Sequence, residues 1–118
     1  MCEGLPIAAL SDETLTIRFL DAEVSRSVEV SCVIDQTDFG DVMGVEILGF
    51  RRQLSGGVVD APRACGRVRW SYDSEDDAFY VHVGEGPMQA QTSVTGKISL
   101  DHTQRVVLLE VPVPPAHY

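Results

Sequence analysis

The sequence predicts an all-β, mainly antiparallel fold: two pseudo-symmetric four-stranded repeats packed as a sandwich or a partly closed barrel. Three observations predict it. Short runs alternate apolar and polar residues, the period-two pattern of a strand with one buried face. Clusters of Asp, Gly and Ser separate these runs. No stretch of a dozen residues repeats its apolar positions convincingly every 3.6 residues, so a helix-rich fold is not expected.

The clearest strand pair spans Arg67 to Val83. Val68, Trp70 and Tyr72 point one way and Arg67, Arg69 and Ser71 the other. On the return strand Phe79, Val81 and Val83 oppose Tyr80 and His82. Ser74 to Asp77 between them are poor strand formers and good turn formers. From the start of the chain, Leu5 to Leu10 is a short apolar run and Ser11 to Thr14 a polar turn. Leu15, Ile17 and Phe19 then alternate with Thr16 and Arg18. Asp21 to Glu23 interrupt. Val28, Val30, Cys32 and Ile34 define the inner face of the next strand, Gln36 to Asp41 a turn, and Val42 to Phe50 a strand interrupted by Glu46.

Arg51 to Gly66 holds four glycines and prolines and reads as a linker with one helical turn at Arg51 to Leu54. After the central hairpin, Gly84 to Pro87 is a turn. The best strand character between Met88 and Leu100 begins at Gly96, and His102 to Arg105 turn the chain again. Val106 to Val111 is an apolar strand broken only by Glu110. Pro112, Pro114 and Pro115 end regular structure, because each lacks a backbone donor.

Laying residue n on n+64 aligns the two halves. Leu15 falls on Phe79, Ile17 on Val81, Val45 on Leu109 and Glu46 on Glu110. A shift of two residues in the middle places Ile34 on Leu100 and Asp35 on Asp101. The expected organisation is one domain over 1–118, with a first repeat at 1–50, a linker at 51–66 and a second repeat at 67–113. A small sheet with one apolar face must cover that face, and two copies in one chain can cover each other.

Charge narrows the partners. Eighteen acidic residues oppose nine basic ones, and neither half is basic. Nucleic-acid binding draws on Lys and Arg at phosphates and is not expected. No run approaches the roughly 20 apolar residues of a membrane helix, so no membrane association is expected. An acidic surface suits solubility and a small basic protein partner. Cys2, Cys32 and Cys65 form no Cys-x-x-Cys pair. Reduced thiols and the lack of a targeting segment lead to an expectation of a cytoplasmic protein, as monomer or homodimer.

Two segments carry a family resemblance. Tyr72-Asp73-Ser74-Glu75-Asp76-Asp77-Ala78-Phe79-Tyr80-Val81 resembles the opening signature of the bacterial domain-of-unknown-function family 2283, which reads Tyr-Asp-x-Glu-x-Asp-Ala-Leu-Tyr-Ile. Met43-Gly44-Val45-Glu46-Ile47-Leu48 resembles its closing signature, Val-Gly-Ile-Glu-Ile-Leu. The opening motif is missing from the first half, and the second half has lost the glycine of the closing one. The resemblance implies two divergent copies of a small β-rich unit with no established reaction. It also implies an antitoxin-like, partner-binding role.

Candidate chemistry is sparse. The spacing of Asp73, Glu75, Asp76 and Asp77 does not match a calcium loop, and turn formation accounts for them. His82, His102 and His117 lack metal-ligand spacing, so no metal or other cofactor is expected. No nucleophile elbow or phosphate loop occurs, so no catalytic residue is assigned. Glu46 and Glu110 interrupt apolar strands. Facing inward, they would form a ligand-binding or hydrolytic site between the halves; facing outward, they are solvated. Trp70 and Tyr72 are core residues or, if their face is uncovered, an aromatic contact patch. The leading expectation is a non-enzymatic protein-binding role; the alternative is a small-ligand site around Glu46 and Glu110.

Overall fold

The computed structural model describes residues 4–86 and 90–114; the expectations for Cys2, Pro87, Met88, Pro115 and His117 fall outside these. The chain forms β1 (Ile7–Ser11), β2 (Thr14–Arg18), β3 (Arg26–Gln36), β4 (Val42–Leu48), α1 (Phe50–Leu54), β5 (Ala64–Cys65), β6 (Val68–Asp73), β7 (Ala78–His82), β8 (Ala90–Leu100) and β9 (Val106–Pro112). All nine strands join one sheet in the order β1-β2-β9-β8-β3-β4-β7-β6-β5, every neighbouring pair antiparallel. The sheet curls into a nearly closed barrel.

Alternation decides which way it curls. Leu15 and Ile17, Val30, Cys32 and Ile34, Val45 and Ile47, Phe79 and Val81, Ile98, Leu109 and Val111 are all buried and form one core. Phe19, just past β2, meets Phe79 of β7 edge-on with ring centroids 5.9 Å apart. Those two strands lie five places apart in the sheet order, so their contact spans the interior.

The halves do not form separate sheets. β3 pairs with β8 over eleven residues, β2 with β9 and β4 with β7, so the halves interlock in one sheet. Adding 64 to the bounds of β2, β3 and β4 gives those of β7, β8 and β9. The register breaks between Asp35 and Gln36 and, 64 residues on, between Ser99 and Leu100. Phe19 N–H donates to Val107 O and Val83 N–H to Met43 O, both at 2.9 Å, again an offset of 64. The strand bounds show no middle shift: at an offset of 64, Ile34 of β3 falls on Ile98 of β8 and Asp35 on Ser99. The turn between β1 and β2 has two residues and that between β6 and β7 has four.

Three further departures have local causes. β4 ends at Leu48 rather than Phe50, because Gly49 adopts a left-handed φ of 67° and starts α1. That helix is capped from a distance: Asp77 accepts from the N–H groups of Arg51 at 2.9 Å and Arg52 at 3.2 Å. β8 begins at Ala90, well before Gly96, because Gln91 and Ser93 face outward while the backbone pairs with β3. β5 is a two-residue strand inside the expected linker.

The turn before β9 is organised by Asp101. Its side chain is almost fully buried. It accepts bonds from Thr103 N–H and Oγ1 at 2.9 and 2.8 Å and from Arg105 N–H and Nε at 2.9 and 2.8 Å. Burial pushes this carboxyl up, but the four donors outweigh it and hold it well below the usual range. A carboxyl depressed in the folded state stabilises the fold above its unfolded pKa and loses that contribution as pH falls through the folded value. Asp101→Asn is therefore expected to be less stable than the parent at neutral pH. The two urea midpoints should converge as pH falls below about 4.

Candidate functional site

Antiparallel pairing divides the barrel's loops between two ends. One end, here the turn end, carries residues 12–13, 37–41, 66–67 and 83–86. The helix end carries α1, the β6–β7 turn and the turn before β9. Among the described loop residues at the turn end, Asp12, Glu13, Asp38, Asp41 and Glu85 oppose only Arg67, and all six are exposed.

An apolar groove of about 280 Å³ opens there, lined by Ala8, Ala9, Leu10, Leu15, Gly40, Asp41, Val42 and Val83. Phe39 next to it is 79% exposed and Leu10 on its wall 63%. Gly40, at a φ of 87°, closes the β3–β4 turn that presents Phe39; its N–H donates to Thr37 O at 3.0 Å. Gln36, at the end of β3, is buried and donates to Gly40 O and Pro114 O, both at 3.0 Å, which ties this turn to the residues just after β9. The groove thus lies beside a hydrogen-bonded turn and has an acidic margin.

Glu46 and Glu110 do not meet. Their neighbours Val45, Ile47, Leu109 and Val111 are buried, so alternation turns both carboxylates to the outer face. Two strands, β8 and β3, lie between β9 and β4, a separation of about 14 Å at ~4.8 Å per strand. Glu110 pairs with Lys97 at 3.5 Å across the β8–β9 ladder. At the corresponding place opposite Glu46 stands Val33. Glu46 lines a shallow depression with Ser31, Leu48, Ser93 and Thr95, and Glu110 has no part in it.

Tyr80, opposite Glu46 on β7, donates its hydroxyl to buried Asp35 at 2.7 Å. Gln91 donates to the other oxygen of that carboxylate at 3.0 Å. Burial, followed by the bond to Asp35, raises the Tyr80 hydroxyl far above its usual pKa. Cys32 is buried, and burial pushes its thiol up to about 11, against a weaker opposing hydrogen bond from the Gly96 backbone. A thiol so placed is inert.

Trp70 and Tyr72 are half-buried and share a pocket of about 160 Å³ at the helix end with Phe50, Phe79, Gly57, Val58, Val59, Arg51 and Arg63. Both reach the core with their rings and turn their polar atoms aside. Trp70 Nε1 donates to Pro62 O at 2.9 Å, and the Tyr72 hydroxyl donates to Asp77 Oδ1 at 2.6 Å. That bond raises the Tyr72 pKa and lowers that of Asp77. Phe50 stacks on Phe79 at 4.4 Å. Sequence reasoning singled out Trp70 and Tyr72, placed Phe79 on the inner face of the same hairpin, and missed the other walls. Phe50 reads as the end of a strand, and Arg51 and Arg63 read as linker; only their return to β6 brings them to the same place.

No family model, curated protein or solved structure matches the chain, so the resemblance to family 2283 rests on its two motifs. Among the described residues no helix is long and apolar enough to cross a membrane. Cys65 is disulfide-bonded, which removes three reduced thiols as a ground for a cytoplasmic location.

Proposed function

We propose that the protein is a non-enzymatic binding module whose turn end receives a small basic protein. The observation that carries this reading is the groove between Leu10 and Val42, with exposed Phe39 beside it, set inside a margin of five carboxylates and one guanidinium. Apolar surface supplies affinity: burying Leu10 or Phe39 contributes roughly 1.5–3 kcal/mol each. The carboxylates select the partner and speed encounter with it. This is also the role that the resemblance to family 2283 implies. Further support for that resemblance, and for reading the halves as repeats, comes from the offset of 64 shared by three strands, the register breaks and two loop hydrogen bonds. Under this reading an approximate two-fold axis passes between Ser31 and Thr95, which pair with each other across β3 and β8.

The test is a stoichiometric pull-down from lysate of the source organism, with the parent chain and an Asp38→Lys, Asp41→Lys variant. A small basic protein should be retained by the parent at about 0.05 M salt and released near 0.5 M, as exposed charges are screened. The variant should bind it at least about tenfold more weakly, roughly 1.4 kcal/mol. No partner, or one indifferent to the two reversals, would count against the proposal.

A further inference from the structure

The pocket at the helix end has a chemistry opposite to that of the turn end. Its walls are Phe50, Trp70, Tyr72 and Phe79, and among its lining residues the only charged ones are Arg51 and Arg63. In a chain with net charge −9 this is a local reversal of sign. Three carboxylates near it have partners, and one of them, Asp73, accepts from Glu75 N–H at 2.9 Å. Asp77 accepts from the Tyr72 hydroxyl and from the N–H groups of Arg51 and Arg52. Asp60 faces Arg105 at 3.5 Å. Among the described residues neither the Arg51 nor the Arg63 side chain has an ion pair or a hydrogen bond. The Arg63 guanidinium sits 4.6 Å from the Trp70 ring centroid, a cation–π contact that holds it at the pocket mouth and leaves its donors free.

Size limits the occupant. A cavity of about 150 Å³ lined by apolar side chains takes up one benzene ring, and this one measures about 160 Å³. The hydrogen bonds on Trp70 and Tyr72 fix both rings before any ligand arrives, which lowers the ordering cost of binding. Planar guanidinium groups hold a carboxylate through paired N–H donors, and a carboxylate is the smallest such anion that a single ring in this cavity can carry at its mouth.

We propose that this pocket binds a small aromatic carboxylate, with the ring between the aromatic walls and the carboxylate on Arg51 and Arg63. The site is independent of the basic-partner groove at the opposite end. Trp70 is the only tryptophan in the chain, so its fluorescence reports on this pocket alone.

The test titrates the intact protein with benzoate, benzyl alcohol, benzamidine and acetate while following Trp70 emission. Benzoate should give a saturable change, with acetate silent and the neutral and cationic rings at least about tenfold weaker. Arg51→Gln keeps the backbone N–H that Asp77 caps and alters an exposed side chain, so it should leave the urea midpoint unchanged. It should bring benzoate close to the level of benzyl alcohol. A linear, unsaturating response to benzoate, equal responses to benzoate and benzamidine, or an unaltered response in Arg51→Gln would each overturn the assignment.

Discussion

Phe79→Ala is expected to lower the unfolding free energy by about 3–5 kcal/mol, the range for deleting a buried aromatic ring. Phe79 is 1% exposed. It stacks on Phe50 at 4.4 Å, lies 5.6 Å from Trp70 and meets Phe19 edge-on at 5.9 Å. These neighbours come from α1, β6 and the segment after β2, so one side chain joins the helix, the central hairpin and the far side of the barrel. The cavity left behind cannot collapse from one direction without drawing the others off their rotamers. Urea unfolding should show a lower midpoint with an unchanged slope, since the surface exposed on unfolding hardly changes. Leu48→Ala, at a side chain 55% exposed, should move stability by no more than about 0.5 kcal/mol and serves as the reference. A Phe79→Ala loss below about 1 kcal/mol would mean that closure does not run through this ring.

The same ring shows how far the sequence could be read. Period-two alternation placed Phe79, Val81, Val68, Trp70 and Tyr72 on the inner face, and burial follows that alternation. It works because a strand's two faces are set by the backbone alone. Alternation equally permitted the outward course of Glu46 and Glu110. What it could not supply was the strand order, since β2–β9 and β4–β7 join residues far apart in the chain. The missing half of β8 has a similar origin: Gln91, Thr92 and Ser93 lack apolar character, and pairing with β3 holds them in a strand. The aromatic pocket was half legible. Trp70 and Tyr72 stand in a clear strand, whereas Phe50 needs Gly49 to turn the chain and Asp77, from a turn over 20 residues away, to cap the helix.

Gly96 on β8 is buried against β9 and β3, and enlarging it is expected to be the next most costly change. A Cβ there would sit 2.7 Å from Val111 Cγ1, 2.9 Å from Glu110 O and 3.0 Å from Cys32 Sγ. The carbonyl belongs to the β9 ladder and cannot swing aside as a side chain can. Gly96→Ala should therefore destabilise by about 1–3 kcal/mol, the cost of overpacking a filled core. Under the offset of 64 the counterpart of Gly96 is Cys32, and these two small residues lie against each other. Cys32→Ala removes only the sulfur, one of the three clashing atoms. Combined with Gly96→Ala it should recover part of the loss, with a coupling of at least about 0.5 kcal/mol in a double-mutant cycle. Additive effects would show that the backbone carbonyl and Val111 alone exclude the methyl group. Recovery would show that the two small residues share one space, so that the size of either is set by the other.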